Sequence, residues 1–136
     1  MKILITGANG YIGTRLVAAL QLEGHDLVCC VRDSSRYEHN KLANKPAILE
    51  VNFTDTEKSS PFPKDIDAAF FLIHSMREGA SFEEKEKKVA EGFLKLLEPT
   101  HCNQVIYLSG IVNEEELSKH LSSRLAVEKI LRAGKT

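Results

Sequence analysis

The chain has 136 residues, enough for one domain with its own hydrophobic core. Hydrophobic residues make up 43% of it and charged residues 27%, proportions typical of a soluble globular domain. The net charge of −1 gives no electrostatic reason to expect nucleic acid or an anionic membrane as a partner, and no apolar run approaches the ~20 residues that span a bilayer.

The chain opens with a strand, a glycine-rich turn and a helix. An apolar run predicts the strand at Lys2–Ile5, and apolar residues at helical spacing predict the helix over Tyr11–Glu23, with Gly24 as its left-handed stop. Between them lies the sequence TGANGYIG, residues 6–13. A turn of this kind cradles phosphate, because glycines let the backbone approach an anion while the first N–H groups of the helix face it.

The glycine spacing, G-x-x-G-x-x-G, is looser than the G-x-G-x-x-G pattern of dinucleotide-binding proteins. Its position between a strand and a helix strengthens the interpretation, and an ordinary glycine-rich loop is the alternative. The residues predicted to bind the phosphates of a dinucleotide are Gly7, Asn9, Gly10, Tyr11, Ile12 and Gly13.

Four more strands and two more helices follow. The strands are predicted at Leu27–Val31, Ala47–Val51, Ala68–Ile73 and Gln104–Leu108. Ser81 and Glu84 form a capping box for a helix that ends near Glu98, where a proline follows, and its charged segment Glu83–Lys88 is predicted to be solvated. The last helix is predicted over about Leu117–Ala133.

This alternation of strands and helices predicts an α/β fold with a doubly wound, all-parallel sheet in the order 3-2-1-4-5. In such sheets ligands bind beyond the carboxyl ends of the strands, where the order reverses between strands one and four. The loops selected by this rule follow Ile5, Val31, Val51, Ile73 and Leu108. Because no sixth strand follows the last helix, we expect a domain trimmed from a longer protein, the alternative being a natural five-stranded domain.

The end of the second strand bears on which dinucleotide binds. A carboxylate there accepts from the ribose 2′-OH of NAD, whereas a cation suits the 2′-phosphate of NADP. Arg32 follows the strand directly and Arg36 lies close behind, and a guanidinium can grip phosphate with two hydrogen bonds. The two arginines favour NADP as the cofactor. NAD is an alternative, because Asp33 could present a carboxylate at the same place. A further alternative is that Arg32 is an ordinary surface residue.

Five segments together resemble atypical short-chain dehydrogenase/reductases, and most closely their NmrA-like, NAD-dependent epimerase/dehydratase-like branch. The segments are MKILITGANGYIG, VCCVRDSSR, AFFLIHSM, VIYLSG and HLSSRLAVEKILR. The resemblance implies that residues 1–136 form an NAD(P)-binding Rossmann domain and that a sixth strand and a substrate-binding part lie beyond them.

The resemblance also implies where each part of the cofactor lies. The pyrophosphate is expected over the glycine turn and the 2′-phosphate near Arg32 and Arg36. Adenine is expected beside Asn52 and Phe53, although many relatives carry Asp where this chain has Asn52; an amide can still bond the adenine amino group. Ribose and nicotinamide are expected near Leu72, Ile73 and His74, with His74 lining or packing against the site rather than catalysing.

The chain departs from the resemblance in its catalytic residues. Active relatives carry Tyr-x-x-x-Lys in the helix after strand five, where this chain reads His120 and Arg124. Histidine can shuttle a proton, but arginine cannot. The alternative to a catalytic role for His120 is an exposed histidine on the helix surface. Ser109 matches the serine that positions a substrate carbonyl in these relatives. The alternative is that its hydroxyl only hydrogen-bonds to backbone groups nearby. A literal Tyr-x-x-x-Lys at Tyr37 is interpreted as coincidence, because it lies at the adenosine end.

Two functions are therefore open. One is an oxidoreductase or epimerase-like enzyme acting on a small carbonyl or nucleotide-sugar-like substrate; the other is a non-catalytic NADP(H)-sensing or regulatory protein. Three cysteines without metal-ligand spacing, and a start that does not resemble a signal peptide, predict a cytoplasmic protein without a metal site. The unpaired edge of strand five predicts self-association.

Overall fold

The structure, a computed structural model, describes residues 1–37, 45–74, 81–109 and 119–134, without the side chains of residues 119 and 120. The strands are β1 Lys2–Thr6, β2 Asp26–Val31, β3 Ala47–Glu50, β4 Ala68–Phe71 and β5 Gln104–Tyr107. The helices are α1 Tyr11–Leu22, α2 Phe82–Leu97 and α3 Lys119–Ala133, with short 3₁₀ turns at Ser34–Arg36 and Thr56–Lys58.

The five strands form one parallel sheet in the order β3-β2-β1-β4-β5, which confirms the predicted topology. The central strand β1 pairs with β2 on one side and with β4 on the other. Its last residue, Thr6, lies opposite Cys30 of β2 and Phe71 of β4, so the carboxyl ends of these strands meet at one edge. The sheet reverses its order between β1 and β4, and a crevice opens there.

Hydrophobic cores cover both faces of the sheet, as the doubly wound arrangement requires. Alternate residues of β1 point to opposite faces, so Ile3 and Ile5 pack with Val17 of α1 while Leu4 joins the core beneath α2 and α3. The apolar run of β2 is buried from Leu27 to Val31, as predicted for a strand covered on both faces.

Four aromatic rings form the centre of the larger core. Phe93 of α2 is fully buried, and its ring centroid lies 4.9 Å from Phe71, 6.0 Å from Phe53 and 6.3 Å from Phe62. These rings join α2 to the sheet and to the loop after β3, so the same packing holds one wall of the crevice in place.

Two local predictions are wrong. Ser81 is the N-cap of α2, but its φ of −112° and ψ of 5° differ from the extended N-cap conformation, and its side chain makes no capping hydrogen bond. Strand β4 ends at Phe71 instead of Ile73, because the N–H of Leu72 donates to the side-chain hydroxyl of Thr6 rather than to a backbone carbonyl of β1. Gly24, by contrast, has the predicted left-handed conformation, with a φ of +81°.

The structure tests the predicted end of α2 but not the predicted start of α3. Helix α2 ends at Leu97, just ahead of Pro99, as predicted. The predicted start of the last helix at Leu117 lies outside the described residues, as does Lys41 of the Tyr-x-x-x-Lys match. No helix among the described residues is long and apolar enough to cross a membrane.

Replacing Phe93 by alanine tests the aromatic core. We expect Phe93→Ala to lower the free energy of unfolding by about 3–5 kcal/mol, because it removes a fully buried ring and leaves a cavity. The matched control is Leu22→Ala, whose side chain is 89% exposed and should change stability by less than about 0.5 kcal/mol. Urea denaturation measures both; equal effects of the two variants would contradict this account of the core.

Candidate functional site

A cavity of about 340 Å³ opens at the carboxyl ends of the strands, at the crevice between β1 and β4. Its wall consists of the segments that end or follow β1 to β4, together with one face of α2 and one residue of α3. The lining residues are Gly7, Asn9, Gly10, Cys30, Val31, Arg32, Val51, Asn52, Phe53, Thr54, Phe71, Leu72, Ile73, His74, Lys85, Glu86, Val89 and Val127. We call this cavity the cleft.

The glycine turn forms the middle of the cleft and is packed closely against α1. Gly7 has a φ of +68°, a conformation that other residues adopt only with strain. A Cβ atom at Gly13 would lie 2.2 Å from the carbonyl oxygen of Gly7, so only glycine fits there. Gly10 is the N-cap of α1 and offers no side chain to accept from the first-turn N–H groups, which leaves the positive end of the helix suited to an anion.

The buried hydroxyl of Thr6 connects β1 to the end of β4. It donates to the carbonyl oxygen of Phe70 at 3.2 Å and accepts from the N–H of Leu72 at 3.2 Å. Thr6 is fully buried, so these bonds satisfy a group that cannot reach water. The contact ends the β1–β4 pairing where the two chains separate around the cleft.

At the β2 end of the cleft, Arg32 and Asp33 have different surroundings. Arg32 is exposed, lines the cleft and has no ion-pair partner within the described ranges. Asp33 accepts from the backbone N–H and the hydroxyl of Ser35 and lies 3.5 Å from Arg36 Nε, and these bonds hold the pKa of its carboxyl below the usual value. Asp33 is therefore bonded within its own turn, and Arg32 is the charged residue that lines this end within the described part of the chain.

The loop after β3 is organised by Asn52. Its side-chain oxygen accepts from the N–H of Thr54 at 3.1 Å and from the Thr54 hydroxyl at 2.7 Å. Its backbone N–H donates to Ser59 at 3.0 Å. Because both lone pairs of that oxygen are used, the group that Asn52 has left for a ligand is its amide NH₂.

The opposite end of the cleft contains a polar cluster under α2 and α3. The ring of His74 packs on that of Tyr107, with centroids 5.9 Å apart. Ser123 of α3, only 1% exposed, donates a hydrogen bond to Oε2 of Glu86 on α2. We call His74, Glu86, Tyr107, Ser123 and Arg124 the α2–α3 cluster.

Burial and charge shift the titration of two members of this cluster. Burial lowers the pKa of His74, the Arg124 cation lowers it further, and the Glu86 carboxylate opposes both. Burial, reinforced by Glu86, raises the pKa of Tyr107 to about 12. Both side chains are consequently neutral near pH 7, and His74 presents an uncharged imidazole to the cleft.

The structure brings nine of the predicted cofactor residues together in the cleft: Gly7, Asn9, Gly10, Arg32, Asn52, Phe53, Leu72, Ile73 and His74. Four others do not line it. Gly13 is buried behind the turn, the side chains of Tyr11 and Ile12 are 73% and 47% exposed, and Arg36 pairs with Asp33. Tyr11 and Ile12 stand in the first turn of α1, where the backbone rather than the side chain faces a phosphate.

Of the two predicted catalytic residues, Ser109 is the one whose side chain the structure describes, and it does not line the cleft. Ser109 lines a second cavity, of about 410 Å³, with residues of β5 and α3 that include Tyr107 and Glu128. Helix α3 includes His120, but its side chain lies outside the described residues. No group of three or more His, Cys, Asp or Glu side chains in the described ranges is placed to hold a metal ion.

Sequence reasoning missed the helical part of the cleft wall. Lys85, Glu86 and Val89 of α2 and Val127 of α3 line the cleft, although the segment containing Lys85 and Glu86 was predicted to be solvated. That prediction is wrong for Glu86, which is half-buried and bonded to Ser123. The spacing of Glu86 and Val89, which places both on one helical face, was the available signal.

Comparisons with known proteins agree with this geometry. The profile of the NAD dependent epimerase/dehydratase family matches residues 3–111. A search of curated protein sequences found no significant match.

Several solved structures share the fold. UDP-glucose 4-epimerase from Stenotrophomonas maltophila, with bound NAD and formylated UDP-arabinopyranose, has 18% identity and a TM-score of 0.76. The enzyme from Bifidobacterium longum in complex with NAD⁺ and UDP has 17% identity and a TM-score of 0.75. UDP-N-acetylglucosamine 4-epimerase from Bacillus cereus has 16% identity and a TM-score of 0.72. Each match covers 97% of this chain and 48% of the other, so the chain spans about half the length of these proteins.

The electrostatics of the α2–α3 cluster can be tested by following His74. We expect an NMR titration of its ring protons to give a midpoint below the ordinary value of 6.5, because the buried imidazole resists protonation. Arg124→Gln should raise the midpoint and Glu86→Gln should lower it further, since the two charges act in opposite directions. A wild-type midpoint above 6.5, or shifts of the same sign in both variants, would contradict the described arrangement.

Proposed function

The chain belongs to the NAD dependent epimerase/dehydratase family, and on this premise we propose that its cleft binds a nicotinamide dinucleotide, with NADP preferred to NAD. The observation that carries the proposal is the contact between Gly7 and Gly13. It leaves no room for a Cβ and brings the uncapped start of α1 to the cleft. A diphosphate fits this place because it needs close backbone approach and several N–H donors.

The residues of the turn would hold the pyrophosphate. Gly7 and Gly10 supply backbone without side chains, and Tyr11 and Ile12 supply N–H groups of the first helical turn. Asn9 is exposed at the rim of the cleft, where its amide can donate to a phosphate oxygen. Gly13 contributes indirectly, because glycine has no Cβ and so lets α1 pack against the backbone of Gly7.

The preference for NADP is supported by the surroundings of Arg32. Its guanidinium lines the cleft, while Asp33, the carboxylate that would accept from a ribose 2′-OH, is occupied by Ser35 and Arg36. A 2′-phosphate adds about two negative charges and can take a bidentate bond from Arg32. Arg36 adds positive charge nearby, although Asp33 offsets part of it.

The adenine and the nicotinamide riboside would contact the parts of the cleft on either side of the glycine turn. Adenine would lie beside Asn52 and Phe53, with the Asn52 NH₂ donating to a ring nitrogen, since its oxygen is used by Thr54. Leu72, Ile73 and His74 would line the ribose and nicotinamide. The uncharged His74 suits this place, because it adds no cation beside the nicotinamide ring.

Exchanging the charge of Arg32 tests both the position of the site and the choice of cofactor. We expect Arg32→Asp to weaken NADPH binding by about tenfold or more, from the loss of a charge-assisted hydrogen bond, and to leave NADH binding equal or tighter. Calorimetric titration of the full-length protein measures both. Arg132→Gln, which removes an exposed arginine outside the cleft, is the control; unchanged affinities in Arg32→Asp would overturn the assignment.

The reaction we propose is hydride transfer involving a small carbonyl or nucleotide-sugar-like substrate. The dinucleotide would supply or accept the hydride. Ser109 would donate a hydrogen bond to a substrate oxygen, and His120 is the candidate for exchanging a proton. The solved neighbours that bind NAD together with formylated UDP-arabinopyranose or with UDP support this class of substrate.

A second candidate function is dinucleotide sensing without catalysis. Arg124 stands where active relatives have a lysine, and it cannot deprotonate. Ser109 lines the second cavity rather than the cleft. These two observations favour a protein that binds the dinucleotide and signals its presence, because neither Arg124 nor Ser109 is among the described residues of the cleft wall.

Turnover separates the two candidates. Incubating the full-length protein with NADPH and a panel of small carbonyls should give oxidation of NADPH if the protein is a reductase. Incubating it with NADP⁺ or NAD⁺ and UDP-sugars should give epimerised sugar if it is an epimerase. Ser109→Ala should then lower kcat by about a hundredfold, as the loss of one oxyanion donor does. Ser122→Ala, an exposed serine on α3, is the matched control. Tight NADPH binding without turnover would favour the sensor.

Self-association stays a prediction. Within the described part of the chain, β5 is an edge strand, and Leu108 at its end is 48% exposed, a surface open to pairing. A cytoplasmic location likewise stays a prediction from the sequence.

A further inference from the structure

Glu50, the last residue of β3, bonds to the turn that follows β2. Its Oε2 atom accepts two hydrogen bonds from Ser34, one from the backbone N–H at 3.2 Å and one from the hydroxyl at 2.8 Å. Ser34 begins the 3₁₀ turn Ser34–Arg36, so this carboxylate ties the start of the turn to the neighbouring strand. Both side chains are exposed, and the charge of the acceptor strengthens bonds that water would otherwise weaken.

The same turn is also held internally and at its end. Asp33, directly before the turn, accepts from the N–H and the hydroxyl of Ser35. Tyr37, directly after it, is 8% exposed, packs in the core that α1 covers and donates its hydroxyl to Cys29 Sγ at 3.7 Å. A segment bonded at both ends loses conformational freedom before a ligand arrives, and such pre-organisation raises affinity for the ligand.

Arg32 is the residue through which this turn reaches the cleft. It lies between β2 and Asp33 and lines the cleft, whereas Glu50 and Ser34 are not among the described residues that line it. The long side chain of an arginine loses much rotamer freedom when it is held in one place. A fixed backbone beside Arg32 limits the positions that its guanidinium can reach, so Glu50 can act on a ligand through the turn without touching it.

We propose that Glu50 is a positioning residue for the 2′-phosphate of NADP: its bonds to Ser34 hold Arg32 where that phosphate binds, and so contribute to the preference for NADP over NAD. This role rests on the dinucleotide binding proposed above. The negative charge of Glu50 by itself repels a 2′-phosphate, so a favourable effect of this residue comes only from its hydrogen bonds. Glutamine separates the two effects, because it keeps an accepting oxygen and lacks the charge.

Three variants of the full-length protein, titrated calorimetrically with NADPH and with NADH, test this role. We expect Glu50→Ala to weaken NADPH binding by about fivefold to tenfold, the worth of one or two hydrogen bonds, and NADH binding by less than about twofold. Glu50→Gln should keep NADPH affinity within about threefold of the wild-type value, because it can accept the same bonds. Ser34→Ala should cause a smaller loss than Glu50→Ala, because its backbone N–H still donates.

A matched control distinguishes the possible failures. Glu57→Ala removes an exposed carboxylate from the other 3₁₀ turn, outside the cleft, and should change neither affinity; thermal melting checks that each variant is folded. An unchanged NADPH affinity in Glu50→Ala, equal losses for NADPH and NADH, or equal effects of Glu50→Ala and Glu50→Gln would overturn the positioning role and leave dinucleotide binding intact. Failure of the wild-type protein to bind either dinucleotide would overturn the proposed function itself.

Discussion

The contact between Gly7 and Gly13 is the constraint on which the rest of the site depends. A Cβ at Gly13 would lie 2.2 Å from the Gly7 carbonyl oxygen, so α1 can begin directly over the end of β1 only when residue 13 is glycine. Gly7 is favoured for a different reason, its φ of +68°. This contact places the N-terminus of α1 at the crevice. The other walls of the cleft are then formed by the neighbouring strands of the parallel sheet, whose carboxyl ends meet at the same edge.

Two buried hydroxyl groups connect the framework to the cleft. Thr6 bonds to the backbone of Phe70 and Leu72, which ends the β1–β4 ladder and lets the chains separate. Ser123 bonds to Glu86 and fixes the position of a carboxylate. In both cases burial of the hydroxyl makes the bond costly to break, so each bond helps to hold a wall of the cleft in place.

Charge is distributed along the cleft according to the strand that each segment follows. The β2 end presents the cation of Arg32, and the nearby carboxylate of Asp33 is bonded to Ser35 and paired with Arg36 in its own turn. The β4 end presents an uncharged His74 beside the carboxylate of Glu86.

The sequence by itself determined the fold, the strand order and the glycine turn. Apolar runs such as Leu27–Val31 and the order of strands and helices depend on local patterns, and parallel topology leaves few arrangements open. Most of the cleft could be predicted for the same reason, because its residues follow strands directly. The tertiary structure alone decided that Arg32 lines the cleft, and that Glu86 leaves the solvent to meet Ser123, 37 residues later in the chain. These outcomes depend on which helices pack across the sheet and where their side chains meet, and no periodicity within one segment contains that information.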